Sequence, residues 1–387
     1  MKRNTFIKAG LAALTLGCTT GFVAAQETLK VGLILPMTGP FTSTGKQISE
    51  GAKLYLAQNG DTVAGKKIEI VLRDDTGNAD VTRRLAQELI LNNNVSVLAG
   101  FGLTPLALST APVATQAKMP MVIMSAATSM ITERSPFVVR TAQVVPQIAG
   151  PFGEWAAKQG IKRVVTIVTD YAPGHDVEKW FSDVFKANGG TVENVRVPLA
   201  NPDFAPFLQR AAETKPDALL VFVPSGVGAQ FMKQFVERGL DKSGIRLIAT
   251  GDVTDDDLLN GMGDAALGVV TAHHYSAAHD SPENKRFVEG YRKATGQRPN
   301  FMAVQGYDGM HAIVEGLKKT NGAGGEALVE AMKGLSWVSP RGPISIDPAT
   351  RDIIQNVYIR KVEKVNGELY NVEFLTLPNV KDPAKAK

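Results

Sequence analysis

Residues 29–40 read LKVGLILPMTGP and indicate the fold class of this chain. The run 29–35 is almost continuously apolar, as expected for a strand that is covered on both faces of a parallel sheet. It ends at Pro36, and the small residues of segment 36–40 predict a loop at the carboxyl end of the strand. A buried first strand with such a loop is typical of a doubly wound α/β protein.

Strands and helices alternate along the chain beyond this point. Apolar, β-branched runs predict strands at 68–72, 96–99, 121–124, 164–168, 218–223, 246–249 and 268–272. Amphipathic patterns predict helices between them, at 43–59, 80–92, 105–116, 147–159, 177–187, 204–214 and 229–238. This alternation predicts βαβ units and parallel sheets, and roughly 360 residues are enough for two domains with separate cores.

The N-terminus has the pattern of a secretory signal peptide. Lys2, Arg3 and Lys8 precede an apolar stretch at 9–25, which ends in small residues and is too short and too rich in Gly and Thr to span a membrane. We therefore predict a signal peptide over residues 1–25 and a periplasmic protein. The single cysteine, Cys18, lies inside it, and the alternative is a lipoprotein anchored through Cys18. Cleavage after residue 25 leaves no thiol, which excludes disulfides and cysteine–metal sites.

The charge balance gives no support for two classes of partner. The whole chain carries 42 basic and 38 acidic side chains, and the signal segment holds three of the basic ones, so 39 remain against 38. Such a balance gives no reason to expect a nucleic acid or a membrane surface as partner. Export also removes ATP and NAD as everyday partners, so capture of a small solute, without a cofactor, is the leading hypothesis.

Five of the predicted strands lead through small residues into a following helix. These loops are 99–105, 124–129, 169–174, 223–228 and 249–253. Ligands of open parallel sheets bind at the carboxyl ends of the strands, where these loops lie. Small residues let a ligand approach backbone N–H groups, and the N-terminus of a helix favours an anion.

Several segments share their order and spacing with a known family. They are 31–45 (VGLILPMTGPFTSTG), 74–75, 100–117, 120–132 (PMVIMSAATSMIT), 301–309 (FMAVQGYDG) and 342–344. In these the chain resembles the periplasmic solute-binding proteins of the leucine–isoleucine–valine type, which serve ABC importers. The resemblance implies two doubly wound Rossmann-like lobes joined by three crossing segments, a Venus-flytrap. It places lobe 1 at 27–146 plus 277–350 and lobe 2 at 147–276 plus 351–380, followed by a frayed Lys-rich tail at 381–387.

The resemblance also implies a function. The protein is expected to bind a small amino acid or related carboxylate between its lobes and to deliver it, as a monomer, to the permease subunits of an ABC importer. A ligand-sensing receptor on the same fold is an alternative. An exported α/β enzyme is a third hypothesis, but the sequence has no nucleophile elbow, phosphate loop or zincin motif, and Pro105 replaces the third glycine of a dinucleotide loop.

The family's ligand contacts map onto particular positions here. Hydroxyls and backbone N–H groups that hold the ligand carboxylate correspond to Thr104, Ala126, Ala127 and Thr128. The two threonines could instead cap helices, and the family pattern favours carboxylate binding. The acid that pairs with the ligand ammonium corresponds to Asp252. A capping role for Asp252 is equally compatible with the sequence, beside an acidic run at 255–257 that we expect to be a solvated surface or a helix start.

The sequence departs from the family in its cleft aromatics. Thr44 stands where a tyrosine or tryptophan is common, Tyr171 lies one or two positions from the usual tyrosine, and Ser225 falls where another tyrosine is expected. Phe101 and Phe301 are candidate apolar walls or core residues. Less aromatic bulk leaves room for a larger or flatter ligand, so an aromatic or other hydrophobic carboxylate becomes a candidate beside a branched-chain amino acid.

Histidines do not indicate a metal site. His273 and His274 are adjacent on a predicted strand and should point to opposite faces, so with His279 they are expected to be hinge or surface residues. His175 is expected at the surface of the cleft mouth, and His311 within a helix as a structural residue. No catalytic residue and no metal ligand is predicted.

Overall fold

The structure is a computed structural model that describes residues 28–386. The first lobe is built on a six-stranded sheet in the order β2-β3-β1-β4-β5-β6. Its strands are β1 (Thr28–Leu35), β2 (Thr62–Val63), β3 (Lys66–Asp74), β4 (Val97–Gly100), β5 (Met121–Ile123) and β6 (Val138–Arg140). Its first helices are α1 (Thr42–Asn59), α2 (Ala79–Leu91) and α3 (Thr104–Ala117). No helix within residues 28–386 has both the length and the apolar character needed to cross a membrane.

The second lobe is built on a nine-stranded sheet. The helices of this lobe are α4 (Val145–Lys158), α5 (Ala172–Ala187), α6 (Ala205–Glu213) and α7 (Gly228–Glu237). The strands are β7 (Arg163–Thr169), β8 (Thr191–Val197), β9 (Ala218–Phe222), β10 (Arg246–Thr250), β11 (Val270–His273), β12 (Ser336–Ser339), β13 (Gly342–Ile346), β14 (Ile353–Val365) and β15 (Glu368–Val380). Their order is β12-β13-β14-β11-β10-β9-β7-β8, and β15 pairs with β14.

Three further helices lie between β11 and β12 in the chain, namely α8 (Pro282–Thr295), α9 (Phe301–Lys319) and α10 (Gly325–Met332). Their apolar side chains join the core of the first lobe, together with those of β1, β3, β4 and β5. The second lobe has two apolar clusters of its own. Two separate cores confirm the predicted α/β architecture of two lobes.

The eight strands and seven helices predicted from sequence are all present, although α5 begins at Ala172 rather than at 177. The prediction does not include the two-residue strand β2, the strands β6 and β8, or the antiparallel strands β12 to β15. β6 has three residues, and most side chains of β8 are exposed or half-buried, so neither gives a long apolar run. The second sheet is therefore mixed rather than purely parallel.

The lobe boundaries remain a proposal. The hairpin of β12 and β13, which that proposal assigns to lobe 1, is hydrogen-bonded to β14 in the nine-stranded sheet. Its last residue, Ile346, packs in the core of the first lobe. The hairpin is thus one of the places where the two lobes are joined.

The C-terminal tail is held in place, so the expectation of a frayed tail is wrong for residues 381–386, while Lys387 lies outside the described residues. The Lys385 ammonium pairs with the buried carboxylate of Asp352, which also pairs with Arg140 at 2.6 Å. Lys381 pairs with Asp347 at 3.1 Å. The sequence shows that the tail is rich in lysine. It does not show which carboxylates the fold brings close to these lysines.

Candidate ligand-binding site

A small cavity lies between the lobes, where loops at the carboxyl ends of both sheets face one another. All five predicted loops contribute to it. Its lining residues are Thr44, Gly102, Leu103, Thr104, Ser125, Ala126, Ala127, Gln143, Tyr171, Pro173, Phe222, Pro224, Ser225, Asp252 and Met302. The cavity measures about 30 Å³, which is room for one or two water molecules. The lobes are therefore closed on each other in this structure.

Seven of the ten residues proposed from sequence line this cavity: Thr44, Thr104, Ala126, Ala127, Tyr171, Ser225 and Asp252. The other three do not. Phe101 is fully buried in the core of the first lobe. Phe301 packs its ring against that of His273, 4.2 Å away between centroids, and its neighbour Met302 reaches the cavity instead. The hydroxyl of Thr128 donates to the carboxylate of Asp176, so its expected role as a ligand donor is corrected.

One end of the cavity is formed by the N-terminus of α3. The residue before this helix is Leu103, which cannot cap it with a side chain, and Thr104 is its first residue. Thr104 is 1% exposed, and its buried hydroxyl has no hydrogen-bond partner among the described residues. Thr104 therefore does not cap the helix, and its hydroxyl is available beside the positive end of the helix dipole.

The loop after β5 adds to this end. The N–H of Ala126 donates to the carbonyl of Phe101 at 3.1 Å, so it is not available to a ligand as expected. The N–H of Ala127 has no acceptor within residues 28–386. Ser125 donates its hydroxyl to the carbonyl of Gly102 at 2.8 Å and so fixes the two loops together. An unpaired hydroxyl at a helix N-terminus, with one free amide group in the neighbouring loop, suits a carboxylate.

The opposite side of the cavity carries Asp252. This carboxyl group is buried, and its Oδ2 atom has no hydrogen-bond partner among the described residues. Burial raises the pKa of Asp252 to about 6, although the Thr250 hydroxyl and the charge of Arg360 act in the opposite direction. The residue at the N-cap position of the short 3-10 helix Gly251–Thr254 is Thr250, so Asp252 is not its cap.

His273 lies behind Asp252, with its Nε2 atom 3.8 Å from Oδ2. Both ring nitrogens of His273 are buried and unpartnered within the described part of the chain. Burial, with the positive charges of Arg360 and Arg341, holds the pKa of His273 well below its usual value. The ring is therefore neutral near pH 7, with one nitrogen as donor and one as acceptor.

A surface position for His273 and His274 is wrong, because both are completely buried, and the alternative of a hinge position stays a prediction. Their ring centroids lie 4.4 Å apart rather than on opposite faces, since β11 ends at His273 and the alternation ends with it. His274 bonds the side-chain amide of Gln143 at 3.1 Å and so positions a residue that lines the cavity. Among residues 28–386 no cluster of side chains could hold a metal ion.

The other three histidines engage side chains that do not line the cavity: His175 with Asp170, His279 with Glu373, and His311 with Trp337. His175 is 44% exposed, in keeping with its expected surface position.

The cavity has an aromatic wall that sequence reasoning found only in part. Tyr171 and Phe222 stack with their ring centroids 6.0 Å apart. Burial, and to a smaller extent the charge of Asp252, raises the pKa of the Tyr171 hydroxyl. Phe222 is the last residue of β9 and directly precedes a predicted loop. That position could have identified it as a cavity residue from the sequence. Gln143 and Met302 gave no comparable signal.

The acidic run at 255–257 is not a solvated surface. Asp255 and Asp256 are buried, and burial raises the pKa of both carboxyl groups. Oδ2 of Asp255 accepts from the Ser225 hydroxyl and the Gly226 N–H, each at 2.7 Å. Ser225 therefore lines the cavity with its hydroxyl already engaged.

Asp257 connects the two lobes through hydrogen bonds. Its Oδ2 accepts from Ser43 and Gln47 of α1, both at 3.2 Å, and its Oδ1 accepts from Asn300 at 3.0 Å. These three donors belong to the first lobe, whereas Asp257 follows β10 of the second lobe. The contacts stabilise the closed arrangement.

Comparison with known proteins places this architecture in a family. Residues 28–367 match a family model described as periplasmic binding protein. Over 383 residues the chain is 43% identical to Leu/Ile/Val-binding protein homolog 6 of Brucella melitensis. The alignment covers 97% of this chain and 98% of that protein.

Two solved structures are similar along almost their whole length. A solute-binding protein of an ABC transporter from Rhodopseudomonas palustris BisB5, in complex with 3,4-dihydroxybenzoic acid, is 64% identical, with a TM-score of 0.92 over 93% of this chain and 99% of that one. Another from R. palustris HaA2, in complex with p-hydroxybenzoic acid, is 41% identical, with a TM-score of 0.90 over 93% and 100%. The chain thus belongs to the periplasmic binding protein family, in its Leu/Ile/Val-binding branch.

Proposed function

We propose that this protein binds an aromatic carboxylate between its lobes in the periplasm and delivers it, without chemical change, to the permease of an ABC importer. The observation that carries the proposal is that the unpartnered Thr104 hydroxyl, at the start of α3 without a side-chain cap, lines the same cavity as the stacked rings of Tyr171 and Phe222. The aromatic acids bound by the two R. palustris proteins support it.

The ligand carboxylate belongs at the α3 end of the cavity. That end offers the Thr104 hydroxyl and the Ala127 N–H, both without protein partners in the described chain, and the positive end of a helix dipole. Asp252 occupies the other end and would repel a second negative charge. The ligand therefore has one orientation, with its acidic group on the first lobe.

The walls suit a flat ring. Tyr171 and Phe222 present aromatic surface from the second lobe, and Leu103 and Met302 present aliphatic surface from the first. Aromatic rings favour offset or edge contacts with one another, worth about 0.5–1.5 kcal/mol beyond burial. A branched-chain amino acid would use Asp252 for its ammonium but would leave the aromatic wall without a ring to contact.

Binding requires the lobes to move. A cavity of about 30 Å³ does not hold a benzene ring, so the ligand enters an open form and the lobes close on it. The ligand shifts the equilibrium between the open and closed forms only by the difference between its affinities for the two forms. Asp257 and its three partners in the first lobe contribute to that state.

The side chains around the cavity support binding without catalysis. The two serines of the lining have engaged hydroxyls, Ser125 with a carbonyl group and Ser225 with Asp255, so neither is paired with a histidine base. His273 has no nucleophile hydrogen-bonded to it in the described chain. The proposal has three further parts, which only membership of the family supports. They are docking to a permease, a monomeric state, and transport rather than sensing.

Thr104→Val tests the carboxylate site, because valine keeps the shape of threonine and removes the hydroxyl. We expect the affinity for benzoate, measured by titration calorimetry, to fall about tenfold, the loss of one hydrogen bond to a charged group. Thr110→Val is the matched control, since Thr110 is equally buried in α3 and donates its hydroxyl to the carbonyl of Leu106 at 3.0 Å. Benzoate affinity that is equal in both variants would remove Thr104 from the site.

A further inference from the structure

Asp252, which lines the cavity, and His273, which lies behind it, have buried polar atoms without a partner among the described residues. These atoms are Oδ2 of Asp252 and both ring nitrogens of His273. Two neighbouring side chains are engaged, as Ser225 donates to Asp255 and Gln143 bonds His274, whereas the Thr250 hydroxyl and Oδ1 of Asp255 are also unpaired within the described residues. A buried polar group without a partner costs about 1–3 kcal/mol, so two of them side by side next to a ligand cavity need a physical reason.

The spacing of the two groups fits one bridging oxygen atom. Nε2 of His273 and Oδ2 of Asp252 are 3.8 Å apart, too far for a direct hydrogen bond. An oxygen about 2.8 Å from each atom would accept a hydrogen bond from the imidazole and donate one to the carboxylate. Only a group that both donates and accepts satisfies the two side chains together, and a hydroxyl is such a group.

Charge at this end argues against other ligand groups. Arg360 lies close to both side chains and influences the pKa of each, so an ammonium would add a second cation beside its guanidinium. A carboxylate would meet the charge of Asp252. A neutral hydroxyl meets neither penalty.

We propose that Asp252 and His273 bind a ring hydroxyl of the aromatic carboxylate and thereby select hydroxybenzoates over benzoate. This inference rests on the proposed function, which sets the carboxylate at Thr104 and points the far edge of the ring toward Asp252. A site built to bond a hydroxyl discriminates against the analogue that lacks it, because the buried polar groups are then left unpaired.

The test compares three ligands on the mature protein by titration calorimetry: 4-hydroxybenzoate, benzoate and 4-fluorobenzoate, whose fluorine cannot donate. We expect 4-hydroxybenzoate to bind at least about tenfold more tightly than the other two. In Asp252→Ala this preference should fall to less than about twofold, with benzoate still bound. Asp256→Ala is the matched control, because Asp256 is equally buried but bonds Ala277 and Asn371 away from the cavity, and its preference ratio should stay unchanged.

Equal affinity of the unmodified protein for 4-hydroxybenzoate and benzoate would overturn the inference and leave the proposed function intact. Binding of neither acid would instead overturn the proposed function. The comparison on the unmodified protein does not depend on a variant that folds. A preference that survives in Asp252→Ala, with folding verified by its melting curve, would also refute the assignment.

Discussion

Asp308→Asn is expected to lower the free energy of unfolding by about 3–5 kcal/mol, the cost of removing one partner from a buried ion pair. Asp308 in α9 and Arg341 in the β12–β13 connection are completely buried, and Oδ2 lies 2.8 Å from Nε. Asparagine keeps the shape of the side chain but leaves the guanidinium charge uncompensated in the interior. Asp308 also accepts from Trp337 and Ser339, so it holds the joining hairpin against the first lobe.

The control for this substitution is Glu154→Gln in α4. Glu154 pairs with Lys158 at 2.6 Å, but their side chains are 50% and 66% exposed, so we expect a change below about 0.5 kcal/mol. Urea unfolding followed by circular dichroism measures both variants. A loss at Asp308 no larger than the loss at Glu154 would show that the hairpin does not depend on this ion pair.

Gly51→Ala should destabilise the protein by about 3 kcal/mol, at the upper end of what overpacking costs. Helices α1 and α9 approach each other so closely that a Cβ atom at Gly51 would lie 1.9 Å from the carbonyl oxygen of Ala303. A Cβ at Gly306 would lie 2.2 Å from the carbonyl oxygen of Ile48. Both obstacles are backbone atoms, which cannot turn away as a side chain would.

Gly261→Ala provides the comparison for this change. A Cβ at Gly261 would meet no atom within 4 Å, so we expect an effect within about 0.5 kcal/mol. Melting temperatures of the two variants, measured by calorimetry, should separate clearly. Similar values would mean that the two helices can move apart at little cost.

The sequence predicted those parts of the fold that local patterns encode. The apolar run of β1 and the amphipathic pattern of α1 need no knowledge of distant residues. β14 and β15 are 13 residues each, but their burial depends on which elements cover the sheet, so the mixed sheet did not follow from the chain. The tail was misjudged for the same reason, because Lys385 finds its charge partners only after folding.

Residues of the candidate site were predictable where they lie in a loop that directly follows a strand. Thr104 and Asp252 follow strands of the two sheets, and the topology brings both to one cavity. Thr128 was wrong because its partner, Asp176, comes from the other lobe. The acidic run at 255–257 predicts a solvated surface or a helix start, because nothing local shows that Asp257 bonds α1. The buried position of His273 could not be predicted, because Phe301 and Arg360, which lie close to it in the fold, are far from it in sequence.

The central claim is that the lobes close on an aromatic carboxylate, and a calorimetric titration of the mature protein tests it most directly. The ligands are benzoate, 4-hydroxybenzoate, benzamide and leucine, with recovery of each afterwards. We predict that the two acids bind at least about tenfold more tightly than benzamide, which lacks the charge, that leucine does not compete, and that every ligand is recovered unchanged. Leucine bound more tightly than both acids, or an acid recovered in altered form, would contradict the account.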